Sequence, residues 1–193
     1  LLCFSPEGRL LYRVPGIGIN PNTVVFCNES VSLTRYQGEP EIIGDIDRVF
    51  EYMPAPGQFV NLLPKYEPGD DAASMAAKCL KALQSGGMVT LGAFGGYITV
   101  GFNATVQNQE GPDFRIDGNA YNGNAEPGVV WVSADANGNG EPDDAWYEIW
   151  GSEQKAGRST QDYTIRYAKP AADNQDSPWK GSDGKTGSIL HNM

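Results

Sequence analysis

Histidine is nearly missing from this chain: His191 is the only one, close to the C-terminal end, so a Ser-His-Asp or Cys-His machine has no centre to build on. His191 reads as an exposed tail residue. Cysteine is scarce as well. Cys3, Cys27 and Cys79 are odd in number and widely spaced, which indicates neither a disulfide framework nor a thiolate metal site. One pair stays open, but free buried thiols are the expectation, with Cys3 a strand residue rather than a lipid anchor. Positive charge is short too: 14 Lys and Arg face 24 Asp and Glu, a net charge of -10 that repels phosphate backbones and anionic headgroups. Nucleic acid is excluded as an expected partner. No apolar run reaches the roughly twenty residues of a membrane helix, so no direct membrane insertion is expected. No intact secretory signal is visible, but a mature exported chain would lack one, so this leaves the compartment open.

What is present is turn chemistry and short strands. The 193 residues include 24 Gly and 13 Pro, enough chain for one sizeable core with many connections. GRLLYRV and NTVVFCN, with the loop PGIGINPN between them, predict a short N-terminal β segment within residues 1–48. VFEYMPAPGQFVNLLPKYEPGDD, from Val49 to Asp71, carries four prolines and predicts a largely extended loop. DDAASMAAKCLKALQSGG is the one convincing helix: Asp70 or Asp71 caps it, Met75, Cys79, Leu80 and Leu83 share a face, and Gly86 ends it.

Beyond Met88 the pattern is all β. MVTLGAFGGYITVGF predicts strands on either side of Gly95 and Gly96, with Gly92, Gly95 and Gly96 relieving crowding at a bend rather than cradling phosphate. DFRIDGNAY, GVVWVSA, AWYEIWGS and DYTIRYAK follow, and the tail from Pro170 reads as loop until GSILHNM. The fold class expected is mainly β: an antiparallel β-sandwich of jelly-roll kind with one packed helix, spanning residues 49–193.

DANGNGEPDD, Asp135 to Asp144, is the most informative stretch. Asp135, Asn137 and Asn139 occupy the first, third and fifth places of a calcium loop, and Gly140 the sixth, where a sharp bend is required. The Glu141 carbonyl falls seventh and Asp143 ninth. Trp146 stands twelfth in place of the usual bidentate glutamate, so Asp143, Asp144 or a distant residue must close the shell. An all-oxygen donor set selects Ca2+ over zinc or copper. Because strand signals flank it, the loop joins two strands rather than two helices.

Trp131, Trp146, Tyr147 and Trp150 border this loop, and two readings compete for them. They either fill the core or face outward and stack on a sugar or other flat ligand, with Trp131, Trp146 and Trp150 the candidate ligand contacts. Asp117, Glu126 and Glu148 are the carboxylates from which a glycosidase pair could be drawn, though solvated sheet faces carry such residues routinely.

VFEYMPAPGQFVN, the helix, VTLGAFGGYITVGF, GPDFRIDGNAY, AEPGVVWVSADANGNGEPDDAWYEIWGSE and YTIRY together resemble a family of exported cell-surface, PKD-like proteins of gut Bacteroidetes, many of them lipoproteins. The resemblance runs from about Val49 to the end, which implies that residues 1–48 are the end of a preceding module. It implies a galactose-binding-like jelly-roll, a cell-surface or extracellular location, and Asp135, Asn137, Asn139, Asp143 and Asp144 as the family's acidic loop. Some relatives lie beside corrinoid or glycan uptake genes, which implies capture of a glycan, a corrinoid or a surface protein; the chain itself is expected to be a monomer. Members continue past the position of Met193, so a C-terminally truncated domain is expected. The function expected is a non-enzymatic, calcium-binding ligand-capture module; the alternative is a glycan-directed hydrolase using paired carboxylates.

Overall fold

The computed structural model describes residues 45–106, 113–119 and 126–191. The N-terminal β segment expected over residues 1–48, with Cys3 and Cys27, lies almost wholly outside that description. So do parts of the GPDF and NAY turns.

Among the described residues seven strands and two helices are formed, every strand pairing being antiparallel. β1 (Ile46–Met53) pairs with β2 (Tyr97–Phe102), and α1 (Ala72–Gln84) packs against β1. β3 (Val130–Ser133) and β4 (Trp146–Ile149) make a hairpin, followed by the short α2 (Ser152–Lys155). β5 (Ile165–Tyr167), β6 (Ser177–Gly181) and β7 (Thr186–Ile189) form a third sheet in that order. The chain is therefore β-rich and antiparallel, its described strands divided among sheets of two, two and three.

α1 forms as its sequence dictates. Asp71 caps it through a reciprocal box: its carboxylate accepts from the Ser74 N–H at 2.8 Å, and its own N–H donates to Ser74 Oγ at 2.9 Å. Cys79 and Leu83 are buried, Met75 and Leu80 lie beside them, and the helix closes at Ser85 before Gly86 turns with φ of 73°. Those residues meet Ile46, Tyr52, Val89 and Leu91 in the main core. Tyr52 is held there by its hydroxyl, which donates to the Thr90 carbonyl at 2.7 Å.

Three local expectations need correction. Val49 to Met53 is not loop but the second half of β1, which also crosses the boundary expected at Val49. The prolines begin only at Pro54, and β-branched and aromatic residues precede them. Before Gly95 no strand forms; residues 89–91 run as buried irregular chain, tied by Ala55 N–H to the Leu91 carbonyl at 3.0 Å and Thr90 N–H to the Leu63 carbonyl at 2.7 Å. The bend is crowded, as expected: a Cβ at Gly92 would lie 1.8 Å from the Ala55 carbonyl oxygen. In the tail, β6 includes Pro178 and is the central strand of its sheet. Proline is tolerated because it sits second in the strand and its carbonyl still accepts from the Ala168 N–H at 2.8 Å.

Candidate metal loop and tryptophan face

The twelve residues between β3 and β4 are many for a hairpin connection, where two to five or so is usual. Their hydrogen bonds show how the loop is shaped. Asp135 Oδ1 accepts from the N–H groups of Gly138 at 2.8 Å and Asn139 at 3.1 Å, and its Oδ2 from Gly140 at 2.9 Å. One carboxylate thus curls the chain around itself. Asn137 Oδ1 takes the Asn139 N–H at 2.9 Å and Asn139 Oδ1 the Glu141 N–H at 2.8 Å, while Gly138 and Gly140 supply positive φ angles of 74° and 75°.

Asp143 reaches back into this curl. The Nδ2 groups of Asn137 and Asn139 donate to its two carboxylate oxygens at 3.1 and 3.0 Å, so three of the six expected ligands converge from opposite sides of the loop. Asp144 does something else: its Oδ2 accepts from Ala136 N–H at 2.9 Å and fastens the base of the hairpin. The donor set suits a hard cation, because Asp135, Asp143 and the two amide oxygens each keep unused lone pairs, and no softer ligand is near. Seating an ion requires the Asp143 carboxylate to exchange its amide donors for the cation, an exchange of weaker for stronger charge compensation. Among the described residues no cluster of three or more His, Cys, Asp or Glu side chains has metal-holding geometry; the convergence here depends on two asparagines.

The connection between this loop and the rest of the molecule was not legible in the sequence. Arg48, on β1, donates from Nη1 to the Gly140 carbonyl at 3.2 Å across 92 positions of sequence, while its guanidinium also pairs with Asp47 and lies 5.5 Å above the Phe50 ring. Asp47 chiefly, and Glu141 more weakly, hold the Arg48 guanidinium protonated beyond its ordinary range. Beneath the hairpin, Val130 packs with Phe114, Ile116 and Ile149, and Ile116 also touches the main core.

Register decides where the tryptophans go. Trp131 pairs with Glu148 and Ser133 with Trp146, so these four share one face; Val130, Val132, Tyr147 and Ile149 share the other. Trp150 follows β4 at the next alternate position. Trp131, Trp146 and Trp150 are 51%, 40% and 55% exposed, which removes the core-filling reading for them. Tyr147, on the opposite face, is exposed as well. The Trp146 indole N–H donates to the Pro142 carbonyl at 3.3 Å, coupling that ring to the loop.

Of the carboxylates considered for hydrolysis, Asp117 pairs with Arg115 at 2.5 Å, Glu126 accepts from the Asn119 amide, and Glu148 accepts from the Gln154 amide at 2.9 Å. His191 is exposed, its N–H bound to Asp176. Against known proteins, the chain matches no family model and no curated protein. A shallow groove of about 360 Å³ lies elsewhere, between the Pro64 turn and α1. Two of its lysines are already committed, Lys65 to Glu67 at 2.6 Å and Lys78 to Asp70 at 2.5 Å. No described helix is long and apolar enough to cross a membrane.

Proposed function

We propose that this chain is a non-enzymatic binding module whose β3–β4 hairpin is clamped by Ca2+ and displays its tryptophan face to a ligand. The observation that carries this is the convergence of Asn137, Asn139 and Asp143 inside a loop curled by Asp135. Asp135, Asn137, Asn139 and Asp143 would supply side-chain oxygens, with the Glu141 carbonyl beside them and Asp144 holding the base. Bound calcium would contribute charge neutralisation and rigidity here, not chemistry. The antiparallel pairing also supports, as part of the same proposal, a jelly-roll sandwich of galactose-binding-like type and the exported cell-surface family that the sequence resembles. Glycan, corrinoid or surface protein are the ligands that family would imply.

With few charged ligands the affinity belongs at the weak end for such loops, about 0.1 to 1 mM, as suits an extracellular module. At a hundredfold excess over the dissociation constant, calcium should stabilise the fold by about 2.7 kcal/mol. Thermal denaturation in calcium against chelator tests this: a higher melting temperature in calcium is expected, abolished by Asp135→Ala. Superimposable curves for the parent chain would refute the clamp.

A further inference from the structure

The tryptophan face has a length, a charge and a composition that together specify a ligand class. Trp146 and Trp131 lie on one face of the hairpin, Trp131 opposite Glu148, and Trp150 is the residue that follows β4, four positions and at most about 13 Å beyond Trp146. The row is longer than a single pyranose ring. Among the described residues the ring-to-ring contacts are those of Phe94 with Tyr163 and with Trp179; the three indoles do not stack on one another, and their exposed surface is open to a ligand.

Charge narrows the choice. From Ile116 to Gln154 the sequence contains no Lys, Arg or His, while Asp135, Glu141, Asp143 and Asp144 stand at one end of the face and Glu148 within it. An anionic ligand would meet repulsion from these acids, and Arg48, the cation that reaches the loop, is already paired with Asp47 and donates to the Gly140 carbonyl. A neutral chain of sugar rings fits instead: its C–H faces lie on indole faces, and its hydroxyl rims can donate to the free oxygen of Glu148 or to Ser133 Oγ. A protein partner would need basic residues to use the same acids.

We infer that Trp131, Trp146 and Trp150 form a stacking platform for an extended, neutral polysaccharide rather than for a monosaccharide. This rests on reading the hairpin as a binding module. It does not require the calcium loop to be filled, so the two can fail separately.

Affinity electrophoresis of the full chain through gels containing a neutral β-glucan, a neutral galactomannan or an anionic polygalacturonan, with and without calcium, tests it. Retardation by at least one neutral polymer and none by the anionic one is expected, with free glucose, galactose or mannose failing to compete at the same mass concentration. Trp131→Ala and Trp146→Ala should each weaken retention about tenfold or more, the effect of losing a central aromatic contact, while Tyr147→Ala, an exposed aromatic on the opposite face, should leave it unchanged. Near-ultraviolet circular dichroism confirms that each variant is folded, and Trp131→Phe, which keeps an aromatic face, should retain part of the binding. The inference is overturned by retention equal in Trp131→Ala and the parent, by equal loss in Tyr147→Ala, or by no retention in either neutral polymer. It is also overturned if sedimentation shows a dimer that Trp131→Ala dissociates, because the face would then be covered by a second copy.

Discussion

Asp135 has both carboxylate oxygens engaged by three backbone N–H groups, and no other side chain in the loop accepts as many. Even without an ion, Asp135→Ala leaves those groups to solvent; because the site is exposed, the cost is about 1 kcal/mol or somewhat more. Loss of calcium response should accompany it. A second residue-scale consequence concerns pH. Burial pushes the Cys79 thiol from 9.0 up to about 12, and Tyr167, whose hydroxyl donates to the Phe94 carbonyl at 2.8 Å, also up to about 12, chiefly by desolvation. Both groups are neutral when protonated and have raised folded values. Their contribution is therefore whole below the unfolded values and is lost as pH climbs toward 12. The melting temperature should begin to fall above pH 9.0, and Cys79→Ala, though less stable overall, should show a shallower decline at the start of that window. A decline equally steep in the variant would assign the effect elsewhere. That the stretch from Asp135 to Asp144 is a curled connection between two strands was legible because Asp, Asn and Gly bond back to the chain and accept positive φ. Arg48 was not, because nothing local marks a contact made 92 positions away.

At the scale of elements, α1 was the most readable part, since its capping residues and its apolar face are encoded within eighteen residues. The box at its start has a pH signature: Asp71 is held below the usual carboxylate range, mainly by the Ser74 backbone N–H and then by the Ser74 side chain. A lowered folded value means its stabilisation is present above 3.8 and disappears as pH falls through the lower folded value. Asp71→Ala should lower the melting temperature at neutral pH and make no difference at a pH where the parent's carboxyl is protonated. Leu83→Ala, in the buried face, should cost about 2 to 5 kcal/mol by denaturant titration, against about 0.5 kcal/mol or less for a solvent-facing position such as Lys81→Ala. The strands were less readable where loop-forming residues surrounded them. β6 was absorbed into a tail that reads as loop because it is rich in Asp, Ser, Gly and Lys, and the second half of β1 into the proline-rich stretch that follows it. Which face of the hairpin carries the tryptophans needed the β3–β4 register, because a shift of one residue would have turned Trp131 inward. Arg48→Gln should release the loop from β1, seen as severalfold faster amide exchange at Val130–Ser133 with little change in α1. Uniform change in both would mean Arg48 acts on global stability instead.

For the whole molecule the balance is between a small core and many connections. Among the described residues only eight hydrophobic side chains are buried, six of them in the cluster between α1, β1 and the irregular segment before β2. The β3–β4 hairpin contributes one, Val130, and a two-stranded ribbon with a long loop is marginal by itself in water. Something other than apolar burial must hold it against the acidic repulsion of Asp135, Glu141, Asp143 and Asp144. Arg48 and the Asp135 hydrogen bonds supply part of that, and the divalent cation proposed above would supply the remainder. Trp146, whose indole N–H bonds to the Pro142 carbonyl inside the loop, lies where it can transfer excitation to a bound lanthanide. Terbium luminescence excited through tryptophan is therefore the most direct measurement of the clamp. Emission should rise saturably with terbium, fall when millimolar calcium is added, and be absent in Asp135→Ala. Emission no greater than that of free terbium, or emission undiminished in Asp135→Ala, would contradict it.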